Sequence, residues 1–168
     1  MVAKIITDRI TKIEDKVIVA GFFSDVRPLK GLAGEIDWLF NGQISKLILD
    51  GKLTGQIDDS LLLYSNRLRT RNVLLLGMGK SERFDSSAVK NTAKLLANKL
   101  SAMNIKNFTT EIFGTGCSNL EGSDVFKLML SEFKKFDDID ISFFIGEKES
   151  DSSLGIKLKE TYRLEEGL

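Results

Sequence analysis

The chain has 168 residues, and its 24 Lys and Arg balance 24 Asp and Glu, so the formal net charge is zero. That length fits one domain with a sizeable core, and the charge balance argues against an electrostatic binder of nucleic acid or of an anionic membrane. There is no histidine, which removes Ser-His and Cys-His nucleophile pairs and the commonest nitrogen ligand of zinc.

The single cysteine, Cys117, rules out an internal disulfide framework and fits a reducing compartment. The start M-V-A-K-I-I-T-D lacks the basic region and long apolar run of a signal peptide, and no stretch has the apolar length of a helical membrane span. A soluble cytoplasmic protein is expected, with residues 1–168 forming one domain.

In chain order, Ala3 to Ile13 and Lys16 to Phe23 are β-prone runs joined at Glu14-Asp15, which predicts a hairpin. The only proline, Pro28, marks the loop that follows. From Gly34, the residues Ile36, Phe40, Ile44, Leu47 and Ile48 recur at helical spacing and Gly51 is a stop signal, which predicts one helix. Leu61 to Tyr64 reads as a short strand. R-L-R-T-R then leads into the wholly apolar run Val73 to Leu76, a strand buried on both faces.

Asp85 or Ser86 is placed to cap a helix with the stripe Val89, Ala93, Leu96, Leu100 and Met103, running to about Asn104. Phe108 to Phe113 reads as a strand, Asp124 to Phe136 as a helix, Ile139 to Ile145 as a strand and Ser153 to about Glu165 as a terminal helix. Strands alternating with long helices predict a three-layer α/β/α sandwich around a mixed, largely parallel sheet.

Two glycine turns are the candidate ligand loops. N-V-L-L-L-G-M-G-K-S carries Gly77, Gly79 and Lys80, but Leu74 stands where a Walker loop needs glycine, and Glu82 where a dinucleotide fingerprint needs its third. A strand-end turn that permits positive φ or close backbone approach is what remains. I-F-G-T-G-C-S-N-L-E-G places Gly114, Thr115 and Gly116 at a second strand end. Together, the turns could offer backbone N–H groups to a phosphate or carboxylate, against the simpler reading of glycines used for geometry.

Cys117 lies in the second turn, where a nearby helix N-terminus would lower its pKa, yet it has no histidine partner and reads as a bystander thiol. Arg67, Arg69 and Arg71 alternate, so an extended segment would project all three to one side, as an anion seat or as a solvated connection. Asp137, Asp138 and Asp140 offer oxygens for a hard cation but lack a spaced ligand pattern, and read as a solvent-facing loop. No metal site and no cofactor are expected.

The order G-L-A-G-E-I-D-W-L-F-N-G-Q-I-S-K-L-I-L-D-G-K-L-T-G-Q, then a short strand, an arginine-bearing connection and N-V-L-L-L-G-M-G-K, resembles the N-terminal domain of the leucyl (cytosol) aminopeptidase family. Ile36-Asp37 with Gly51 to Gly55 match one family landmark, and Gly77, Gly79 and Lys80 match another. The resemblance covers about Asp15 to Glu160. It implies a macro-domain-like sandwich without nucleotide duty at G-M-G-K.

In that family two metal ions in a separate C-terminal domain activate water, and its signature N-T-D-A-E-G-R is nowhere in this chain. The resemblance therefore implies a non-catalytic interaction or regulatory module. The alternatives are a small-ligand domain for ADP-ribose or a related phosphate, or the excised N-terminal part of a metal-dependent aminopeptidase. The expected partners are a second copy, in at most a weak dimer, or a full-length aminopeptidase.

Overall fold

A computed structural model describes residues 1–146; the terminal helix expected over Ser153 to Glu165 lies outside the described residues. Strands β1 (Val2–Ile6), β2 (Ile18–Phe22), β3 (Ser60–Tyr64), β4 (Asn72–Gly77), β5 (Asn107–Glu111) and β6 (Asp140–Phe144) form one sheet in the order β1-β6-β5-β2-β4-β3. Every neighbouring pair is parallel except β3 with β4. The mixed, largely parallel sheet expected from the alternation of strands and helices is the one observed.

Helices α1 (Gly31–Leu39) and α2 (Gln43–Leu49) cover one face, and α3 (Ser86–Ala102) and α4 (Gly122–Phe133) the other. The period-2 alternation of strand side chains divides each central strand between the two cores. Ile18, Ala20, Phe22, Val73 and Leu75 pack with Leu32, Ile36, Phe40 and Ile44. Val17, Val19, Leu74 and Leu76 pack with Val89, Ala93, Leu96 and the aromatic residues around α4. There, Phe126 meets Phe143 edge-on at 4.8 Å between ring centres, and Phe108 meets Phe133 at 5.6 Å.

The expected hairpin does not form. β1 pairs with β6 at one edge of the sheet, whereas β2 lies in its interior between β5 and β4. The segment between them carries a 3₁₀ turn at Ile10–Lys12 and buries Ile10 and Ile13 in the α1/α2 core. Glu14-Asp15 lacks the Gly or Asn that a tight hairpin turn demands. Asp15 instead anchors the connection: its N–H donates to Thr70 Oγ1 at 2.9 Å, and its carboxylate accepts from Thr109 Oγ1 at 3.0 Å.

The single helix expected from Gly34 to Gly51 is two. Asn41 and Gly42 take left-handed φ values of 56° and 77°, which end α1 and restart the chain as α2. Asp37 explains why the restart holds: its Oδ1 accepts from the N–H groups of Ile44 at 2.8 Å and Ser45 at 3.0 Å, and its Oδ2 accepts from Ser45 Oγ. A carboxylate on α1 thus satisfies the free amides that open α2.

α3 begins as expected, with Asp85 Oδ1 accepting from Ala88 N–H at 2.8 Å. Its stripe holds at Val89, Ala93, Leu96 and Leu100. Met103 falls past the helix end and is 38% exposed. Phe108 to Phe113 is strand only through Glu111, with Ile112 and Phe113 buried just beyond. α4 starts two residues before Asp124 and stops at Phe133, short of Phe136.

Candidate functional site at the carboxyl edge of the sheet

The carboxyl ends of β2, β4 and β5 adjoin, so the turns that leave them meet at one edge, where open α/β sheets hold ligands. Three amides of the G-M-G-K turn are already used. Gly77 N–H donates to Asp59 O at 2.7 Å, Met78 N–H to Phe22 O at 3.0 Å and Gly79 N–H to Gly55 O at 2.9 Å. A phosphate would have to displace backbone bonds to reach them.

The two glycines serve close approach. A Cβ on Gly77 would collide with Gln56 O and stand 2.7 Å from Gly55 C; one on Gly79, where φ is 77°, would stand 2.9 Å from Ile57 Cγ1. The segment from Gly51 to Gly55 and the G-M-G-K turn, far apart in sequence, are therefore two sides of one packed contact. Asp59 closes it, accepting from Thr54 N–H and Oγ1 and from Gly55 N–H at 3.1 Å. Burial pushes its carboxyl up, but these bonds outweigh burial and hold it below the ordinary carboxylate range.

Lys80 points to solvent. Beside it, Asp25 accepts from Ser81 N–H at 2.9 Å and Ser81 Oγ at 3.0 Å, and its carboxyl is lowered mainly by the Ser81 N–H bond. Gly77, Gly79 and Lys80 do not line the small cavity at this edge; Gly114 and Thr115 do, together with Gly21, Lys30, Gly31, Met78, Glu111 and Cys117. Gly114 O accepts from the N–H groups of Cys117 and Ser118, each at 3.0 Å, and Thr115 Oγ1 donates to Ile112 O at 2.8 Å. Gly116, with φ of 75°, turns the chain outside the cavity.

At the centre of the edge stands Glu111, a residue the sequence reading passed over. Its Oε1 accepts from Gly21 N–H on β2 at 2.9 Å, and its Oε2 accepts from Leu32 N–H at the start of α1 at 3.0 Å. Lys30, the residue before α1, makes no side-chain cap, so the carboxylate from β5 supplies one across the sheet. A carboxylate is acceptor-only and carries the charge that a helix N-terminus favours, so it meets both amides at once. The readable signal was a lone carboxylate inside N-F-T-T-E-I-F.

Glu111 fills the point on which the Gly21 and Leu32 amides converge. The space left in the cavity is about 20 Å³, room for about one water molecule. Cys117 shares it half-buried, and burial first, then the Glu111 charge, pushes its thiol up. This is the reverse of the lowering that a nearby helix N-terminus would bring, and α4 does not begin until Gly122.

The remaining candidates do not converge. Arg67, Arg69 and Arg71 do face outward around buried Leu68 and Thr70, yet each has its own partner: Leu39 O at 2.9 Å, Glu14 at 2.8 Å and Tyr64 Oη at 3.1 Å. Asp138 pairs with Lys106 at 3.3 Å and Asp140 accepts from Val2 N–H at 3.2 Å. Among the described residues, no group of three or more His, Cys, Asp or Glu side chains is placed to hold a metal ion, and no helix is long and apolar enough to cross a membrane. A wider hollow beside α1, lined by Pro28, Trp38, Gly42 and Arg67, is open to solvent, and Asp37 on its wall is engaged in capping α2.

Comparison with known proteins agrees with this fold. The model of the cytosol aminopeptidase family, N-terminal domain, matches residues 18–124, from the first residue of β2 into α4. A probable cytosol aminopeptidase of Baumannia cicadellinicola is 35% identical over 97 residues, which are 57% of this chain and 19% of that protein. One from Buchnera aphidicola is 33% identical over 90 residues, 53% of this chain and 18% of the relative. The chain thus spans about a fifth of the length of the curated relatives it matches.

Among solved structures, the Trypanosoma brucei macrodomain in complex with ADP-ribose superposes with a TM-score of 0.73 at 13% identity, covering 95% of this chain and 68% of that one. A tomato leucine aminopeptidase mutant gives 0.63 at 12% identity, covering 98% of this chain and 36% of the enzyme. At these identities the likeness shows the fold alone, which is macrodomain-like.

Proposed function

We propose that this chain, which belongs to the cytosol aminopeptidase family through that family's N-terminal domain, is a non-catalytic interaction or regulatory module of the cytoplasm. The observation that supports this reading is Glu111. The edge at which such a sheet would hold an anionic ligand is filled by the chain's own carboxylate, and the space left fits about one water molecule. The chemistry named for the relatives would lie in the larger part of their length outside the match. Binding a second copy or a full-length aminopeptidase is the role left for the matched part.

The test is hydrolysis of leucine p-nitroanilide by the purified chain with manganese or zinc. No turnover above the metal blank is expected. Robust, chelator-sensitive release of p-nitroaniline would overturn the reading.

A second reading, a binder of ADP-ribose or a related phosphate, is favoured by one observation: Gly114 and Thr115 do share a cavity wall with Gly21 and Gly31 at the expected edge. It ranks below the first, because a ligand would have to expel Glu111 from two amides before it could enter.

A further inference from the structure

We propose that the outer edge of β3, unpaired among the described residues, joins the same edge of a second copy of this chain, bringing two sheets antiparallel about Leu62. Among the described residues the sheet has two edges, and they differ. β1 carries Lys4 at its middle, a charge of the kind that keeps edge strands from pairing. β3, Ser60-Leu61-Leu62-Leu63-Tyr64, has no charge, no proline and no glycine.

The ladder with β4 fixes which backbone groups face outward. Gly77 N–H donates to Asp59 O and Ser65 N–H to Arg71 O, so the odd-numbered residues of this segment bond inward. By the alternation of antiparallel pairing, the N–H and C=O groups of Ser60, Leu62 and Tyr64 point away from the sheet. Among the described residues, these three amides donate to no loop, turn or helix carbonyl. On the α3/α4 face of the same edge, Leu62 is 47% exposed and Tyr64 68%.

Charge selects a second copy in antiparallel register as the occupant. Asp59 precedes the strand and Arg67 and Arg71 follow it, each hydrogen-bonded to uncharged groups, whereas Asp58 and Arg69 are already paired with Lys99 and Glu14. A two-fold axis through the Leu62 pair brings the acidic end of one strand beside the basic end of the other, whereas parallel pairing would oppose like charges. Leu62 would then exchange both backbone bonds with the other copy's Leu62, and Ser60 with the other copy's Tyr64, on the order of six bonds in all. Five residues a side bury far less than the roughly 1,200 Å² of a stable complex, so the dimer is weak and concentration-dependent.

This deepens the interaction-module reading and rests on it. Sedimentation velocity of the full chain from about 10 µM to about 1 mM should show a monomer giving way to a dimer. Leu62→Lys, which sets like charges opposite each other at an already exposed position, should raise the dissociation constant by about tenfold or more; Lys4→Glu on the other edge should leave it unchanged. Amide exchange supplies an independent readout. Leu61 and Leu63 should be protected at every concentration, while Leu62 and Tyr64 should gain protection only as the dimer forms.

A wild-type monomer throughout the range, a dimer indifferent to Leu62→Lys, or a dimer lost with Lys4→Glu would each overturn the proposal. A monomer inert toward leucine p-nitroanilide removes the edge pairing alone; a dimer that hydrolyses it removes the module reading alone.

Discussion

Glu111 shows how one side chain decides the character of this edge. Two amides, Gly21 N–H and Leu32 N–H, converge on a point where a bound anion would be stabilised, and the chain fills the point itself. Glu111→Ala would leave both amides without their acceptor. Denaturant unfolding should show a loss of about 2–6 kcal/mol, because each of the two half-buried donors stripped of a partner costs about 1–3 kcal/mol. Glu111→Gln should retain part of this, since its amide has one acceptor oxygen and its NH₂ faces another donor. A Gln variant as stable as wild type would mean that the carboxylate is not acting as a double acceptor.

At the scale of elements, the turns are more determined than their sequences suggest. Asp59 links the turn at Thr54-Gly55 to the strand end at Gly77, and its carboxyl lies below its ordinary value. The sign of its pH effect follows: a lowered folded pKa contributes stability that is present above the unfolded value of about 3.9 and is lost as pH falls through the folded pKa. Asp59→Ala should therefore be less stable than wild type at pH 7, by about 1–3 kcal/mol for the lost bonds. Thermal melts should show the gap narrowing as pH drops below about 4. A gap that widens in acid would contradict the assignment.

β4 offers the complementary contrast. Leu75 is fully buried between strands β2 and β3, so Leu75→Asp should cost several kcal/mol and unfold a domain whose total stability is about 5–15 kcal/mol. Lys80→Ala, on the exposed turn, should change stability by no more than about 0.5 kcal/mol, read by the same unfolding curves.

These elements also show what a sequence makes legible. The apolar run Val73 to Leu76 and the stripe from Val89 to Leu100 declare themselves because burial on two faces, or on one, writes a local period. Gly77 and Gly79 were legible as a strand-end turn, but not what presses on them, since Gln56 and Ile57 arrive through tertiary packing. The break at Asn41-Gly42 was written in a dipeptide that favours left-handed backbone, and the apolar period running through it masked the signal. The hairpin reading failed for a related reason: local β propensity in Ala3 to Ile13 and Lys16 to Phe23 says nothing of which strand each will join. Glu111 was the least legible of all, because both of its partners are at least 79 residues away.

Taken whole, the molecule keeps the macrodomain-like frame, and the amides that meet at the carboxyl edge of its sheet are already bonded within the chain. Three turn amides are bonded to backbone, Glu111 seals two more, and about 20 Å³ remains. The family relation explains the landmarks as packing: Ile36-Asp37 builds and caps the α1/α2 corner, and Gly51 to Gly55 seats against the G-M-G-K turn.

The most direct test of this account is a calorimetric titration of the wild-type chain with ADP-ribose. The sealed edge predicts no saturable heat up to millimolar ligand, that is, binding weaker than about 4 kcal/mol. Saturable binding at micromolar concentration, about 8 kcal/mol, would show that Glu111 yields its place to a ligand, and would contradict the account.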